Sequence, residues 1–258
     1  MERNEAPGYD RGVGSPFPGF SPQALTFLRQ LARNNQREWF QPRKAKYEAL
    51  VRDPMLALLA LIADDFRKYA AEYAVEPKKA LYRIYRDTRF SKDKTPYKTH
   101  SSAMFFRPDV SKNTGAGFYF SVSHEAVEVA GGMYMPGPAE LAAVRNAIAA
   151  DEGKALQKLV SAPATQRLGG ELTGARLRRV PAGFEPDHPA ADLLRRKQFY
   201  FDVILPPTVA TSAALFREIT KRFRAMAPVV EYINGAILAA AREEAGVDAV
   251  PKRPTPMF

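Results

Sequence analysis

Cysteine is absent from this 258-residue chain, and only three histidines are present. Without cysteine the chain forms no disulfide and offers no thiolate, which excludes cysteine nucleophiles and sulfur-ligated zinc sites. The histidines, His100, His124 and His188, are far apart in the sequence and form no H-E-x-x-H pair. We therefore predict no metal site, and the sequence identifies no cofactor.

Several other familiar signals are also missing. No apolar run approaches the roughly 20 residues that span a bilayer. The N-terminus leads into polar sequence rich in Gly and Pro instead of the apolar centre of a signal peptide. The chain has no P-loop, no G-x-G-x-x-G after a strand and no G-x-S-x-G elbow. These absences predict a cytoplasmic protein with no membrane association and none of the usual nucleotide cradles.

What the chain does carry is positive charge, with a formal net charge of +10. Such a charge favours acidic partners, including nucleic acid, phosphorylated metabolites and anionic lipid headgroups. It is equally compatible with an ordinary soluble protein rich in Ala and Arg, because net charge bears on solubility and not on fold. The distribution of the charge along the chain is therefore more informative than its sum.

The composition divides the chain into three parts. Residues 1–18 are mostly Gly, Pro and charged residues with little to bury, which predicts a disordered arm. Residues 19–245 carry the apolar periodicities and predict one α+β domain. Residues 246–258 are rich in Pro and predict a flexible tail.

Helix signals open the domain. Ser21 suits an N-cap and Pro22 the first helical position, and Asn34-Asn35 closes that helix. A second helix is expected over residues 36–52. Asp53-Pro54 repeats the signal of a cap followed by proline, which predicts the start of a third helix.

Helix signals also close the domain. Residues 138–148 have helical apolar spacing, with a break expected at Gly153. Residues 213–241 continue this pattern, and Pro228 is expected to kink or restart the helix.

The middle of the chain has the alternation of strands. Strands are expected at residues 80–85, 102–106, 117–123, 126–130, 171–180 and 198–205. Residues 117–123 and 126–130 resemble a hairpin, which Gly131-Gly132 is expected to end. Because helices precede and follow the strands without strict alternation, we predict an α+β fold. Its central, mainly antiparallel sheet is flanked by N-terminal and C-terminal helices.

The segment from Tyr82 to Lys98 is the most charged part of the chain, with six Arg or Lys residues and two Asp. Cations at this density repel one another unless an anion is near, and arginine forks suit phosphate or carboxylate. We predict that this segment binds an anionic small molecule. The predicted ligand-binding residues are Arg83, Arg86, Asp87, Arg89, Lys94, Tyr97, Lys98 and His188. In this site Asp87 would hold an arginine rotamer, and Tyr97 would donate to a bound oxygen.

Two structural interpretations of the same segment stay open. In the first, the segment is a surface loop with local ion pairs, in which Asp87 pairs with Arg89 or Arg83 and Asp93 pairs with Lys98 or Lys94. In the second, the segment is a buried ion network that ties the helices to the sheet. Each would satisfy the cations without a ligand.

Two functional alternatives also stay open. The basic segment and the arginines near residues 176–179 and 195–197 would suit a nucleic-acid backbone, with aromatic side chains available for stacking. A hydrolase or transferase acting on a phosphate compound would use Asp87, Asp93 or His188 as its base. No nucleophile stands out, so the sequence does not decide whether the protein is an enzyme.

The pair Asp187-His188 has a simpler interpretation than acid–base chemistry. Neighbouring side chains in an extended segment point apart, and Asp187 would cap a helix over residues 190–196. His188 would join the site only if its loop folds toward the basic segment.

The run R-I-Y-R-D-T-R-F-S-K-D-K-T-P-Y-K, residues 83–98, resembles the hallmark of a large bacterial family, domain of unknown function 2461. Further similar pieces follow the same order: Trp39-Phe40, Gly117-Phe118-Tyr119, Gly131 to Pro136 and Gly183 to Pro189. The resemblance covers roughly residues 20–240. It implies a single domain in a bacterial cytoplasmic protein, and it implies no particular activity.

Overall fold

A computed structural model describes residues 16–168 and 170–246 of the chain. Most of the predicted arm (1–18) and of the predicted tail (246–258) lies outside the described residues. Phe17, which the prediction assigned to the arm, is buried, and its ring lies 5.6 Å from that of Phe20 in an edge-on contact. Its burial reflects an aromatic contact that composition alone does not reveal.

The first helix begins where its signals predict. Helix α1 (Pro22–Arg33) has Ser21 as its N-cap, whose hydroxyl accepts a hydrogen bond from the Ala24 N–H. Asn34 is the C-cap residue. The cap, the proline and the terminating asparagine therefore set both ends of this helix.

Residues 37–66 follow one nearly unbroken helical path. It comprises α2 (Arg37–Phe40), a 3₁₀ turn (Gln41–Arg43), α3 (Lys44–Tyr47), a π-helical turn (Glu48–Arg52) and α4 (Asp53–Phe66). The predicted helix start at Asp53-Pro54 is confirmed by α4, but the capping role of Asp53 is wrong, because Asp53 has helical dihedral angles and no side chain caps α4. Because Pro54 lacks an N–H, it interrupts the backbone hydrogen bonds of the helix. The π-helical turn directly before it accommodates this interruption.

A short 3₁₀ turn (Ala71–Tyr73) and α5 (Pro77–Ala80) lead to the sheet. Its strands are β1 (His100–Phe106), β2 (Gly117–Ser123), β3 (Val127–Met133) and β4 (Phe199–Leu205). They pair antiparallel in the order β1-β2-β3-β4. The predicted hairpin is confirmed as β2 and β3, and the predicted α+β class is confirmed by the sheet and its flanking helices.

Two of the expected strands are wrong. Residues 80–85 and 171–180 touch the sheet region only through isolated bridges, such as Leu81 with Ala103 and Thr173 with Tyr200. The first segment leaves α5 and then turns to pair Tyr85 with Tyr97 in its own loop. In the second, Gly174 has φ +128°, which takes the chain off an extended path.

The prediction that Gly131-Gly132 ends the hairpin is also wrong, because β3 continues through both residues. A Cβ at Gly131 would lie 2.8 Å from the sulfur of Met226, so glycine here lets a helix approach the strand. Gly132 has φ +130°, and a Cβ there would lie 2.2 Å from the Phe199 carbonyl oxygen. Close packing explains both glycines, and neither ends the strand.

The remaining helices are α6 (Pro138–Ala150), α7 (Lys154–Val160), α8 (Pro163–Gln166), α9 (Ala191–Leu194) and α10 (Leu215–Glu244). A 3₁₀ turn (Pro207–Val209) follows β4. The break at Gly153 is confirmed, with φ +75° between α6 and α7. Helix α10 runs through Pro228 without a restart, so that alternative of the prediction is wrong.

Alternation along the strands gives the sheet two different faces. One face is buried by helices: the Phe118 ring lies 4.9 Å from that of Phe66 on α4 and 5.2 Å from that of Phe223 on α10. The opposite face carries polar and aromatic side chains and lines a cleft. The fold thus separates residues that make the core from residues that are free to contact a ligand.

Candidate functional site

The arginines of the segment 82–98 form local pairs. The Arg89 guanidinium contacts both carboxylate oxygens of Asp87, at 3.0 Å for Nε to Oδ1 and 2.7 Å for Nη2 to Oδ2. Arg86 pairs with Asp93 and also donates to the Thr95 hydroxyl. Asp87 therefore does hold an arginine, although at the surface of the loop and away from the cleft.

These pairs stabilise the ionised carboxylates. Hydrogen bonds from Arg89 lower the pKa of Asp87 to about 2. The Thr95 N–H, followed by Arg86, lowers the pKa of Asp93 to about 2. The two aspartates of the segment thus form ion pairs with two of its three arginines.

The other residues of the loop that are predicted to bind the ligand lie in different environments. Tyr97 is buried, and its ring stacks on Phe40 with centroids 4.1 Å apart, so it belongs to the core. The Lys94 ammonium donates to the Thr88 carbonyl at 2.8 Å. Arg83 is exposed. Tyr97 lies in the core because burial of its aromatic ring is more favourable in free energy than exposure of the ring to solvent.

His188 lies in a different part of the fold. Its Nδ1 accepts a hydrogen bond from the Ala190 N–H at 3.0 Å, at the entrance to α9. The side chain acts electrostatically on Glu152, in the connection between α6 and α7. The cap predicted for Asp187 is wrong, because Ala190 is the N-cap residue of α9 and no side chain caps that helix.

Lys98 is the predicted site residue that lines the cleft on the open face of the sheet. The cleft has a volume of about 750 Å³. Its floor comes from alternate residues of all four strands, and its walls come from residues 112–115 and 134–135 and from Tyr82. The cleft, rather than the arginine loop, is the concave surface into which chemically active side chains converge.

One end of the cleft is cationic. The ammonium groups of Lys98 and Lys112 lie 4.6 and 4.9 Å from the centre of the Tyr82 ring. Lys112 also lies 4.7 Å from the Phe106 ring and donates to a backbone carbonyl. Within residues 16–168 and 170–246, neither lysine forms an ion pair with a carboxylate.

Burial lowers the pKa values of the basic residues at this end of the cleft. Desolvation lowers the pKa of Lys98, and the nearby charge of Arg83 lowers it further. Desolvation also lowers the pKa of Lys112. The pKa of His100, on the floor beside them, is lowered by burial and then by Lys98. Perturbed groups in a cleft are typical of functional sites.

The other end of the cleft is acidic. Glu128 on β3 and Asp202 on β4 occupy diagonal positions, since Asp202 lies opposite Ala130. Burial raises the pKa of both carboxyls, and Asp202 raises that of Glu128 further. The Ser121 hydroxyl donates to Glu128 at 3.2 Å. Across the described chain, neither carboxylate has a cationic side-chain partner.

Aromatic side chains complete the cleft. Tyr82 and Tyr119 lie within it, and the rings of Tyr134 and Tyr200 meet edge-on with centroids 5.0 Å apart. Tyr134 is 57% exposed, and its neighbour Met135 is 69% exposed. An exposed tyrosine and methionine at the rim of a cavity give it apolar contact surface that nothing in the described chain covers.

A buried asparagine fixes one wall. Asn234 on α10 is fully buried and accepts from the Ala116 N–H at 2.9 Å. Its Nδ2 donates to the Ala116 carbonyl at 2.9 Å and to the Tyr73 hydroxyl at 2.7 Å. The Thr114 hydroxyl donates to Glu140. These bonds hold the segment that carries Lys112 against the helices.

Sequence reasoning missed Lys112, Glu128 and Asp202. A signal for the two acids did exist, because Glu128 alternates with the core residues of β3 and Asp202 with those of β4. Residues on the outward face of two predicted strands were therefore identifiable as neighbours. Lys112 lies in an irregular segment, and no pattern could have located it.

Other kinds of site find no support in the described part of the chain. No three His, Cys, Asp or Glu residues converge there in a group that would hold a metal ion. No helix among the described residues has the length and apolar character needed to cross a membrane.

The fold and cleft define a class: an α+β protein whose antiparallel sheet buries one face under helices and opens the other into a charged, aromatic cavity. The chain belongs to the family described as conserved hypothetical protein (DUF2461), whose model matches residues 23–232. The match includes the basic segment and every cleft residue named above. No curated protein and no solved structure matches the chain.

Proposed function

We propose that the protein binds a small molecule in the cleft and holds an anionic group of that molecule with Lys98 and Lys112. The observation that supports this proposal is that two ammonium groups lie beside Tyr82. Both lysines are half-buried, and neither has a carboxylate partner in the described chain. An unpaired cation is unfavourable away from water, and a bound anion offsets that penalty. The cleft volume of about 750 Å³ lies in the range of small-molecule sites.

The anion site proposed here is displaced from the one expected from the sequence. Arg86 and Arg89 are occupied by the aspartates of their own loop. Lys98 is retained from that prediction, and Arg83 adds positive potential beside it. The loop pairs then support the site by fixing the backbone that delivers Lys98 to the cleft.

The acidic end suggests what the rest of the ligand carries. Lys98 precedes β1, whereas Glu128 and Asp202 lie on β3 and β4, so their backbones are two to three strand spacings apart, about 10–15 Å. An amine or a cluster of hydroxyl donors at that distance from the anion would pair with the carboxylates. The tyrosine rings would contact the part between. We therefore propose a bipolar ligand.

The anionic end is tested by calorimetry against a panel of phosphorylated and carboxylated small molecules. Lys98→Met and Lys112→Met each remove one charge-assisted contact of about 1.5–3 kcal/mol, so affinity should fall roughly 10- to 100-fold. Lys92→Met is the control, because Lys92 is exposed in the same loop and lies outside the cleft. Equal affinities for all four proteins, or no binding by any member of the panel, would refute the proposal.

The acidic end is tested separately with paired ligands that differ only in an amine. Glu128→Gln and Asp202→Asn should weaken the amine-bearing ligand and leave its deaminated partner unchanged. If both ligands weaken equally, the bipolar part of the proposal is wrong while the anion site stands. The nucleic-acid and phosphate-hydrolase interpretations stay predictions, and binding to RNA or DNA that falls steeply with salt would favour the former.

A further inference from the structure

Four arginines meet outside the cleft, where α6, α9 and residues 171–180 come together. Arg196 is only 7% exposed. Its Nε and Nη1 are buried, and neither forms a hydrogen bond within the described chain. Arg145 on α6 donates from Nη2 to the Arg196 carbonyl oxygen at 2.8 Å, while its own Nε is buried without a partner.

The local acids Asp192 and Glu171 offset only part of the charge of this group, the arginine cluster of Arg145, Arg176, Arg195 and Arg196. Asp192 pairs with Arg195, and no carboxylate of the described residues forms an ion pair with Arg196. Arg176 lies opposite Arg196 in an isolated bridge. Burial, followed by the charge of Arg176, lowers the pKa of Arg196.

Such an arrangement is unfavourable without an anion. A buried guanidinium normally has its N–H groups bonded and its charge matched, and leaving either unmet is strongly destabilising. Guanidinium forks match the oxygens of a tetrahedral phosphate, which accepts several N–H donors at once. Arg176 is exposed, so an anion would reach the buried Arg196 from solvent past it.

We propose that Arg145, Arg176 and Arg196 form a second anion site, which binds a phosphate group. The site is independent of the cleft, since none of the three arginines lines that cavity. Arg196 supplies the buried guanidinium, Arg145 on α6 bonds the backbone carbonyl of Arg196, and Arg176 covers the phosphate from the surface.

The test uses the full chain and inorganic phosphate. Calorimetry gives the dissociation constant, and phosphate at about 100 times that constant should raise the melting temperature by roughly 5–10 °C. Arg196→Met and Arg176→Gln should each weaken phosphate at least tenfold. Arg178→Gln is the matched control, because Arg178 is an exposed arginine of the same segment, and it should bind phosphate as the wild type does.

Further comparisons separate a binding role from a structural one. Without phosphate, Arg196→Met should melt at or above the wild-type temperature, because it removes a buried unpaired cation. If that variant fails to fold, the exposed Arg176→Gln carries the test. A variant with both Lys98→Met and Lys112→Met should keep the phosphate shift. Its loss in that variant, an equal shift in all arginine variants, or no shift in the wild type would overturn the inference.

Discussion

Asn234→Ala should strongly destabilise the protein, although Asn234 lies outside the cleft lining. The side chain is fully buried on α10 and bonds both backbone groups of Ala116 as well as the Tyr73 hydroxyl. Truncation would leave the Ala116 N–H and C=O without their partners in a site that water does not easily reach.

The size of the effect follows from these bonds. Each orphaned buried group costs about 1–3 kcal/mol. For the two backbone groups, with a partial loss at Tyr73, we expect the free energy of unfolding to fall by about 3–5 kcal/mol. For a chain of this size that corresponds to a drop of roughly 6–20 °C in melting temperature.

Urea unfolding followed by circular dichroism measures the change, with Asn113→Ala as the control. Asn113 is an exposed residue of the same cleft wall, and its truncation should change the free energy of unfolding by no more than about 0.5 kcal/mol. A loss below about 1 kcal/mol for Asn234→Ala would refute the view that this asparagine locks the wall.

Three further predictions concern the sheet and the cleft. Gly132→Ala places a Cβ 2.2 Å from the Phe199 carbonyl oxygen at a positive φ, and should destabilise the protein by at least about 2 kcal/mol in urea unfolding. Gly235→Ala, in open space on α10, should instead stabilise it by roughly 0.5–1 kcal/mol, so equal effects would argue against the packing explanation. Asp202→Asn removes a negative neighbour and should lower the pKa of Glu128 in an NMR titration, and an unchanged value would contradict their coupling. Anion affinity should decrease as pH rises through the lowered pKa values of the two cleft lysines, which lie below 10.5, the usual value for lysine. Calorimetry showing constant affinity up to that pH would count against those lysines as the anion ligands.

The sequence predicted those parts of the fold that depend on local chemistry. Ser21-Pro22 and Gly153 marked element boundaries because a cap bond and a left-handed backbone need particular residues. Alternation predicted β2 and β3 because each strand has one buried face. By contrast, the glycine pair predicts a strand end at Gly131-Gly132, because the helix that approaches Gly131 is distant in the sequence.

The candidate site was harder to predict for the same reason. Charge density identified the segment with Lys98, but local spacing could not show that Asp87 takes Arg89 and that Tyr97 faces the core. The partner of Lys98 in the cleft is Lys112, which comes from an irregular segment held by a bond to α10. Long-range packing therefore determines which cations converge. Such packing produces no periodic pattern in a single sequence from which it could be predicted.

The two-sided sheet also bears on how related chains could diverge. Replacing Ser102, Met104 or Tyr119 would reshape the cavity floor, while the phenylalanines on the reverse of the same strands would keep their contacts with α4 and α10. Ligand selectivity and folding stability thus depend on alternate residues of the same strands. Relatives could acquire new ligands by changing every second residue and inherit the scaffold intact.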